Sequence, residues 1–115
     1  MYDLAVVRVA RNRLRVVNID DIYMLEAAGG DTLVHRRGSE VLRDARPLGE
    51  VLAAWPEHPF VRVHDGYAVH PIHILELRLR ESGRDWELKL EPPLNAVVPI
   101  SRGYADDLWE ALNMT

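Results

Sequence analysis

Two short stretches of the sequence carry side chains suited to binding an anion. Arg62 and His64 alternate with two valines, so on a strand both polar side chains would lie on one side. Ser101 and Arg102 precede an amphipathic stretch, and a helix N-terminus beside an arginine attracts phosphate. Phosphate contacts are therefore predicted for Arg62, His64 and Arg102, and capping of the helix is predicted for Ser101. The alternatives are a solvated strand face with a structural ion pair for the first, and for the second a plain N-cap with Arg102 paired to Asp106 or another acid.

Two clusters of basic residues could each form a positive patch. The first surrounds a predicted hairpin and consists of His35, Arg36, Arg37 and Arg43. The second spans residues 8–15 near the start of the chain. Charged side chains also protect the exposed edges of strands from pairing with other chains. We expect that protective role for residues 8–15, while either cluster remains a candidate patch.

The histidines at 64, 70 and 73 raise the question of a metal site. His70 and His73 have a spacing that suits zinc on a helix. Pro71 would keep that helix short, and the chain has no cysteine to complete a ligand set. We therefore predict no metal, and expect His73 to be a packed, hydrogen-bonded residue at a strand end. No nucleophile–base pair, glycine-rich phosphate loop or paired carboxylate stands out, so neither catalysis nor a cofactor is predicted.

The elements that must position these side chains are mostly short strands. Runs rich in Val, Ile, Leu and Tyr alternate with Gly, Pro, Asn and Asp, which is typical of all-β proteins. Predicted strands cover residues 4–9, 13–17, 22–27, 32–36, 40–43, 60–64, 67–70, 74–80, 86–90 and 96–100. One helix is predicted over about 46–55 and a C-terminal helix over about 102–114. The buried face of the first helix is expected to consist of Leu48, Val51, Leu52 and Trp55.

Length and composition restrict the class of protein. The 115 residues are enough for one domain, 1–115, and 48% apolar residues are enough for a core. No apolar run approaches the roughly 18 residues of a membrane helix, and the N-terminus lacks a signal-peptide pattern. We therefore expect a cytoplasmic protein without a membrane partner. Fourteen basic and 18 acidic residues give a net charge of −4, so a nucleic-acid-binding face would have to be a local patch.

Three stretches, read in order, match the pattern of one family. The first is IDDIYMLEA at 19–27, followed by Gly29. The second is FVRVH at 60–64, followed by Tyr67 and a short apolar run. The third is PISRGY at 99–104, with Leu108 after it. The chain resembles the LytTR (LytR/AlgR-type) DNA-binding domain over about residues 4–112. The resemblance implies a mostly β, elongated arrangement of short antiparallel sheets, common in bacterial response regulators.

The resemblance also implies a way of binding DNA. In this family, loops enter successive major grooves, and here these correspond to residues 29–32, 64–66 and 101–104. Arg62, His64 and Arg102 would then position phosphates. The full set of expected nucleic-acid-binding residues is Asp31, Thr32, Arg36, Arg62, His64, Asp65, Ser101, Arg102 and Tyr104. The expected partner is double-stranded DNA with promoter repeats, bound by a possible homodimer that regulates transcription.

Three positions depart from the family pattern. Asp65 and Gly66 stand where the family usually has Arg or Asn followed by Ser, and Gly103 stands where Arg or Lys is frequent. A carboxylate repels phosphate and can only accept hydrogen bonds, for example from cytosine N4. These departures favour a second hypothesis, a degenerate LytTR fold used as a protein-interaction or dimerisation module with weak or no DNA binding. The basic and polar residues retained around them favour the first.

Overall fold

The computed structural model describes residues 3–114, which form ten strands and two α-helices. The strands are β1 (Leu4–Ala10), β2 (Arg13–Asn18), β3 (Ile22–Ala28), β4 (Asp31–Arg36), β5 (Val41–Asp44), β6 (Val61–His64), β7 (Tyr67–Val69), β8 (Ile74–Leu79), β9 (Trp86–Leu90) and β10 (Val97–Ile100). The helices are α1 (Leu48–Ala54) and α2 (Arg102–Ala111). The predicted mostly β fold is therefore confirmed, and the strand boundaries lie close to those predicted.

The strands form three separate antiparallel sheets. A central sheet has the order β5-β4-β3-β7-β6, a two-stranded sheet pairs β1 with β2, and a third has the order β10-β9-β8. The described chain measures 47 × 31 × 25 Å, in agreement with the elongated shape that was predicted. Gly29 makes the turn between β3 and β4 with a φ of 63°, a conformation that glycine adopts without steric cost.

Two hydrophobic cores cover the two faces of the central sheet. Ile22 and Leu25 of β3 belong to the first core, and Tyr23 and Met24 to the second. Strand side chains normally alternate between faces, and a register shift between Ile22 and Met24 interrupts that alternation. Leu25 packs into the first core, with α1 and the inner face of the β1–β2 hairpin. Met24 packs into the second core, with β9, β10 and Leu108 of α2. The central sheet thus holds α1 on one side and α2 on the other.

Helix α1 differs from its prediction in length and in its buried face. It begins at Leu48, because Pro47 has an extended ψ of 156° and occupies the N-cap position. Leu48, Val51 and Trp55 are buried as predicted. The prediction for Leu52 was wrong, since its side chain is only partly buried at the margin of the first core. The other three, at positions i, i+3 and i+7, already fill the stripe that faces the sheet.

Helix α2 ends at Ala111, three residues before the predicted end. Asn113 adopts a left-handed φ of 58°. The backbone N–H of Met114 donates to the carbonyl of Trp109 at 2.8 Å, and that of Asn113 to the carbonyl of Glu110 at 3.0 Å. This is a Schellman motif, which stops the helix by satisfying its last carbonyls. No helix among residues 3–114 is long and apolar enough to span a membrane.

Candidate nucleic-acid interface

The β6–β7 turn and the start of α2 are two of the three segments expected to bind DNA, and they lie side by side at one end of the central sheet. The N–H of Ala27, near the end of β3, donates to the carbonyl of Gly66 in the β6–β7 turn at 2.8 Å. The N–H of Ser101, just before α2, donates to the carbonyl of Val63 at 2.8 Å. The β3–β4 turn follows Ala28 at the same end. We call the region formed by residues 29–32, 64–66 and 101–104 the turn end.

A hydrogen bond between side chains ties α2 to the β6–β7 turn. The Tyr104 hydroxyl donates to Asp65 Oδ1 at 2.7 Å. This hydrogen bond raises the pKa of Tyr104, because the neutral hydroxyl donates to a carboxylate. Arg62 Nη2 donates to the backbone carbonyl of Asp65 at 2.7 Å. Of these two neighbours only Tyr104 contacts the Asp65 carboxylate, whereas Arg62 holds the backbone of the turn. Arg62 Nε is buried without a hydrogen-bond partner among the described residues.

His64 lies in the same turn, next to an irregularity in the sheet. The pairing register shifts between Arg62 and His64, so a bulge interrupts the strict alternation assumed from the sequence. His64 Nδ1 accepts a hydrogen bond from the N–H of Gly66 at 3.0 Å. A neutral ring that accepts at Nδ1 carries its proton on Nε2. His64 therefore stabilises the turn with one nitrogen and has a donor on the other.

The start of α2 is arranged differently from a capped helix. Ser101 occupies the N-cap position, but its hydroxyl accepts no hydrogen bond from the helix, so the predicted side-chain cap was wrong. Arg102 is highly exposed, and its Nε lies 3.2 Å from Asp85 Oδ1 in the β8–β9 loop. The acid partnered with Arg102 is therefore Asp85 and not Asp106. Exposed ion pairs of this kind are weak, so the guanidinium can exchange its partner at small cost.

The β3–β4 side of the turn end contributes one exposed and one buried polar residue. Asp31 forms an ion pair with Arg43, with 3.0 Å between Oδ2 and Nη1. The Thr32 hydroxyl is fully buried and donates to the carbonyl of Arg46 at 2.8 Å. Its hydrogen-bonding capacity is therefore directed at the chain leading into α1.

Arg36 lies away from the other candidate residues. It pairs in register with Ile22, the first residue of β3, at the end of the central sheet opposite the turn end. Its guanidinium forms an ion pair with Glu40. Its neighbour Arg37 is paired with Asp21 at 3.1 Å. The basic cluster around the β4–β5 hairpin is therefore largely neutralised by acids of the same chain.

A buried acid at the end of β5, Asp44, is hydrogen-bonded to the β1–β2 hairpin, and the sequence prediction did not include it. The Asp44 carboxylate has no solvent exposure and accepts hydrogen bonds from Arg46 Nη2 at 2.7 Å and Nε at 2.9 Å. It also accepts from the backbone N–H of Arg8 and of Arg46, both at 3.0 Å. Burial would raise the pKa of Asp44, but these hydrogen bonds outweigh it and lower the pKa. The close spacing of Asp44 and Arg46 was the available sequence signal.

His70 and His73, whose spacing raised the question of a zinc site, are buried and hydrogen-bonded within the chain. His73 is buried and stacks on Tyr23 with 4.2 Å between ring centroids. Its Nδ1 lies 2.7 Å from Glu91 Oε1, and its Nε2 lies 2.6 Å from the carbonyl oxygen of Asp20. His70 Nε2 lies 3.0 Å from Asp20 Oδ1. The predicted role of His73 as a packed, hydrogen-bonded residue at a strand end is confirmed.

This combination defines a small, mostly β domain that brings turns and a helix start together at one end of a five-stranded sheet. The family model of the LytTr DNA-binding domain matches residues 12–113. The chain therefore belongs to the LytTR family of DNA-binding domains, and the predicted membership is confirmed.

A solved structure gives independent evidence for the fold. The LytTr DNA-binding domain of a Bacillus cereus protein, described as a methyl-accepting/DNA response regulator, is similar with a TM-score of 0.73. The two chains are 20% identical, and the match covers 97% of this chain and 98% of the other. No curated protein matches the chain.

Proposed function

We propose that this domain binds double-stranded DNA through the turn end and regulates transcription, with two copies on repeated half-sites. The observation that carries the proposal is the convergence of the β6–β7 turn and the start of α2, held by the Tyr104–Asp65 hydrogen bond at 2.7 Å. The β3–β4 turn at the same sheet end supplies the third segment. Membership of the LytTR family supports DNA as the partner.

The roles of individual residues follow from their surroundings. Arg62 and Arg102 are suited to phosphate contacts, because one is bonded only to a carbonyl and the other only to an exposed acid. His64 can donate from Nε2, and the Ser101 hydroxyl has no role in capping the helix. Asp31, Asp65 and Tyr104 lie nearby as candidates for contact with base edges or backbone. The buried Thr32 and the distant Arg36 support the fold of the sheet in preference to DNA contact.

The test is a titration of purified domain with duplex DNA at several salt concentrations. Arg102→Ala should weaken binding to all duplexes and reduce the magnitude of the salt slope by about one unit, because one phosphate contact is lost. Arg37→Ala is the matched control. Arg37 is also exposed and paired with a carboxylate, at 3.1 Å, but it lies at the opposite end of the central sheet. An equal loss in both variants would contradict the proposed interface.

The acid in the β6–β7 turn provides a test of opposite sign. Asp65→Asn should strengthen DNA binding several-fold at low salt, because it removes a negative charge while keeping an oxygen that accepts from Tyr104. The gain should shrink as salt screens the charge. Glu110→Gln, near the other end of α2, is the control and should change binding less. An unchanged affinity in Asp65→Asn would place this turn away from the phosphates.

Two observations favour the second function, a protein-interaction module. Arg102 is paired with an acid of the same chain, and Asp65 contributes a negative charge to the turn end. The two functions are separated by wild-type protein at low salt together with Gly103→Arg. A Cβ atom at Gly103 would meet no atom within 4 Å, so the new side chain fits. If only Gly103→Arg and Asp65→Asn bind duplex DNA and the wild type does not, the interaction module is the better account.

A further inference from the structure

The outer face of the β1–β2 hairpin is apolar although it faces solvent. Its inner face, with Val7 and Val17, packs into the first core. The outward residues Leu4, Val6, Leu14 and Val16 are 52%, 41%, 57% and 62% exposed. Val6 and Val16 are cross-strand partners, so the four side chains form one continuous row. A sheet face in contact with water is usually polar, and this one requires another explanation.

The same hairpin carries positive charge that the chain does not neutralise. Arg8 lies on the outer face opposite Leu14, and Arg11 and Arg13 are at the tip of the hairpin. Within residues 3–114, none of these three arginines forms an ion pair. Most arginines elsewhere in the described chain, such as Arg43 and Arg78, are paired with carboxylates, although Arg62 and Arg84 are not. A binding partner complementary to this surface would carry apolar side chains beside negatively charged ones.

We propose that this face docks an amphipathic, acidic segment of a partner protein. Apolar side chains of that segment would cover the row centred on Val6 and Val16, and its carboxylates would pair with Arg8 and Arg11. Arg13 precedes the outward Leu14 on β2 and so points to the other face of the hairpin. The combination favours protein over DNA, because aliphatic side chains gain nothing from contact with phosphate, whereas burying them against apolar groups is favourable. This docking face does not depend on how the turn end is used.

Charge and size argue against a second copy of the chain as the occupant. The described residues of the outer face are Leu4, Val6, Arg8, Leu14, Val16 and Asn18, and none is acidic. A second copy packed through the same face would leave the arginines without a carboxylate. A patch of four aliphatic side chains is on the order of a few hundred Å², below the roughly 800 Å² per partner of stable complexes. A short segment is the occupant that fits.

The probe is a synthetic 16-residue peptide with Leu at positions i, i+3, i+4 and i+7, Glu at four flanking positions and Ala at the others, because more glutamates would repel one another and unfold the helix. We expect it to shift backbone amide resonances of β1 and β2 in the isotope-labelled domain. Two control peptides, one with Lys for every Glu and one with Ser for every Leu, should bind at least tenfold more weakly. Absence of binding by the acidic peptide at about millimolar concentration, or shifts confined to other elements, would overturn the proposal.

Variants of exposed residues locate the binding without disturbing the core. Val16→Ser should weaken peptide binding about tenfold, because one buried valine contact is lost. Arg8→Gln should weaken it about two- to fivefold at low salt and less at high salt. The matched controls are Val97→Ser, at a valine 47% exposed on β10, and Arg84→Gln in the β8–β9 loop, and neither should change the affinity. Circular dichroism establishes that each variant is folded.

Two further measurements decide between the possible occupants. If sedimentation equilibrium finds a dimer that Val16→Ser abolishes, the face belongs to a second copy and the proposal is wrong. If Arg8→Gln or Arg11→Gln lowers the salt slope of duplex binding, the arginines of the hairpin contact DNA and the proposal is also wrong. An oligomeric state and a salt slope that these variants leave unchanged, together with binding of the acidic peptide, support it. Failure of DNA binding at the turn end leaves this result unaffected.

Discussion

Replacing Asp44 by alanine should be among the most destabilising single changes in the described chain. The carboxylate is fully buried and accepts four hydrogen bonds, two from the Arg46 guanidinium and two from backbone N–H groups. Its removal leaves a half-buried guanidinium and the N–H of Arg8 without their acceptor. Breaking a buried ion pair by removing one partner costs about 3–5 kcal/mol of unfolding free energy. We expect a loss in that range for Asp44→Ala.

The assay is urea unfolding followed by tryptophan fluorescence, since Trp55 is buried in the first core and its Nε1 donates to the carbonyl of Val6 at 3.0 Å. Asp31→Ala is the control, because the exposed Asp31–Arg43 pair is worth less than about 1 kcal/mol. Equal slopes of unfolding free energy against urea are required for the comparison. A loss below about 1 kcal/mol in Asp44→Ala, similar to the control, would refute the reasoning.

The pH dependence of the same variant supplies an independent check. The lowered pKa of Asp44 means that its contribution is fully present above the pKa of an unfolded aspartate, about 3.9. That contribution is lost as the pH falls through the lower pKa of the folded state. The difference in unfolding free energy between wild type and Asp44→Ala should therefore be constant from about pH 5 to 8 and shrink below about pH 4. A difference independent of pH down to pH 2 would contradict an ionised, paired carboxylate.

Three further predictions address the core, a buried histidine and the turn end. Val51→Ala should cost about 2 kcal/mol in urea unfolding and Leu52→Ala less, because only Val51 is fully buried; the reverse order would contradict the assigned helix face. Burial lowers the pKa of His70, so its contribution to stability should be full above about pH 6.5 and fall as the pH drops through the folded-state pKa. That decline should be absent from the unfolding curves of His70→Gln, and its persistence would exclude His70 as the cause. Asp65→Asn should lower the pKa of Tyr104, measured by phenolate absorbance, and an unchanged titration would argue against their hydrogen bond.

Local sequence patterns were sufficient for most of the secondary structure. Alternation of apolar and polar residues marked most of the strands, and the glycines and prolines between them marked the turns. The predictions that were wrong concern the buried face of α1 and the end of α2. Leu52 has the spacing of a buried helix residue, but Val51 and Trp55 already fill the space above the sheet. The early end of α2 depends on the left-handed conformation of Asn113, for which the sequence offers only a weak signal.

The sequence predicted which chain segments form the candidate site better than it predicted which residues contact one another there. The three sequence stretches that contain Glu26, Arg62 and Arg102, read in chain order, predicted membership of the LytTR family. The family model then matched residues 12–113. The positions of individual residues in the fold were harder to predict from the sequence. Arg36 belongs to a basic cluster in the sequence, yet it lies at the far end of the sheet because β4 runs away from the β3–β4 turn.

The sequence by itself determined the strands, the two helices and the family, because hydrophobic period and turn residues act over a few neighbouring positions. Only the tertiary structure decided which charges are paired. Asp65 and Tyr104 are 39 residues apart, and Arg102 and Asp85 are 17 apart, so no local pattern links them. Antiparallel pairing and packing of the sheets bring such groups within 4 Å, and the distances between them decide which arginines are neutralised. The unpaired arginines of the β1–β2 hairpin are therefore a property of the fold.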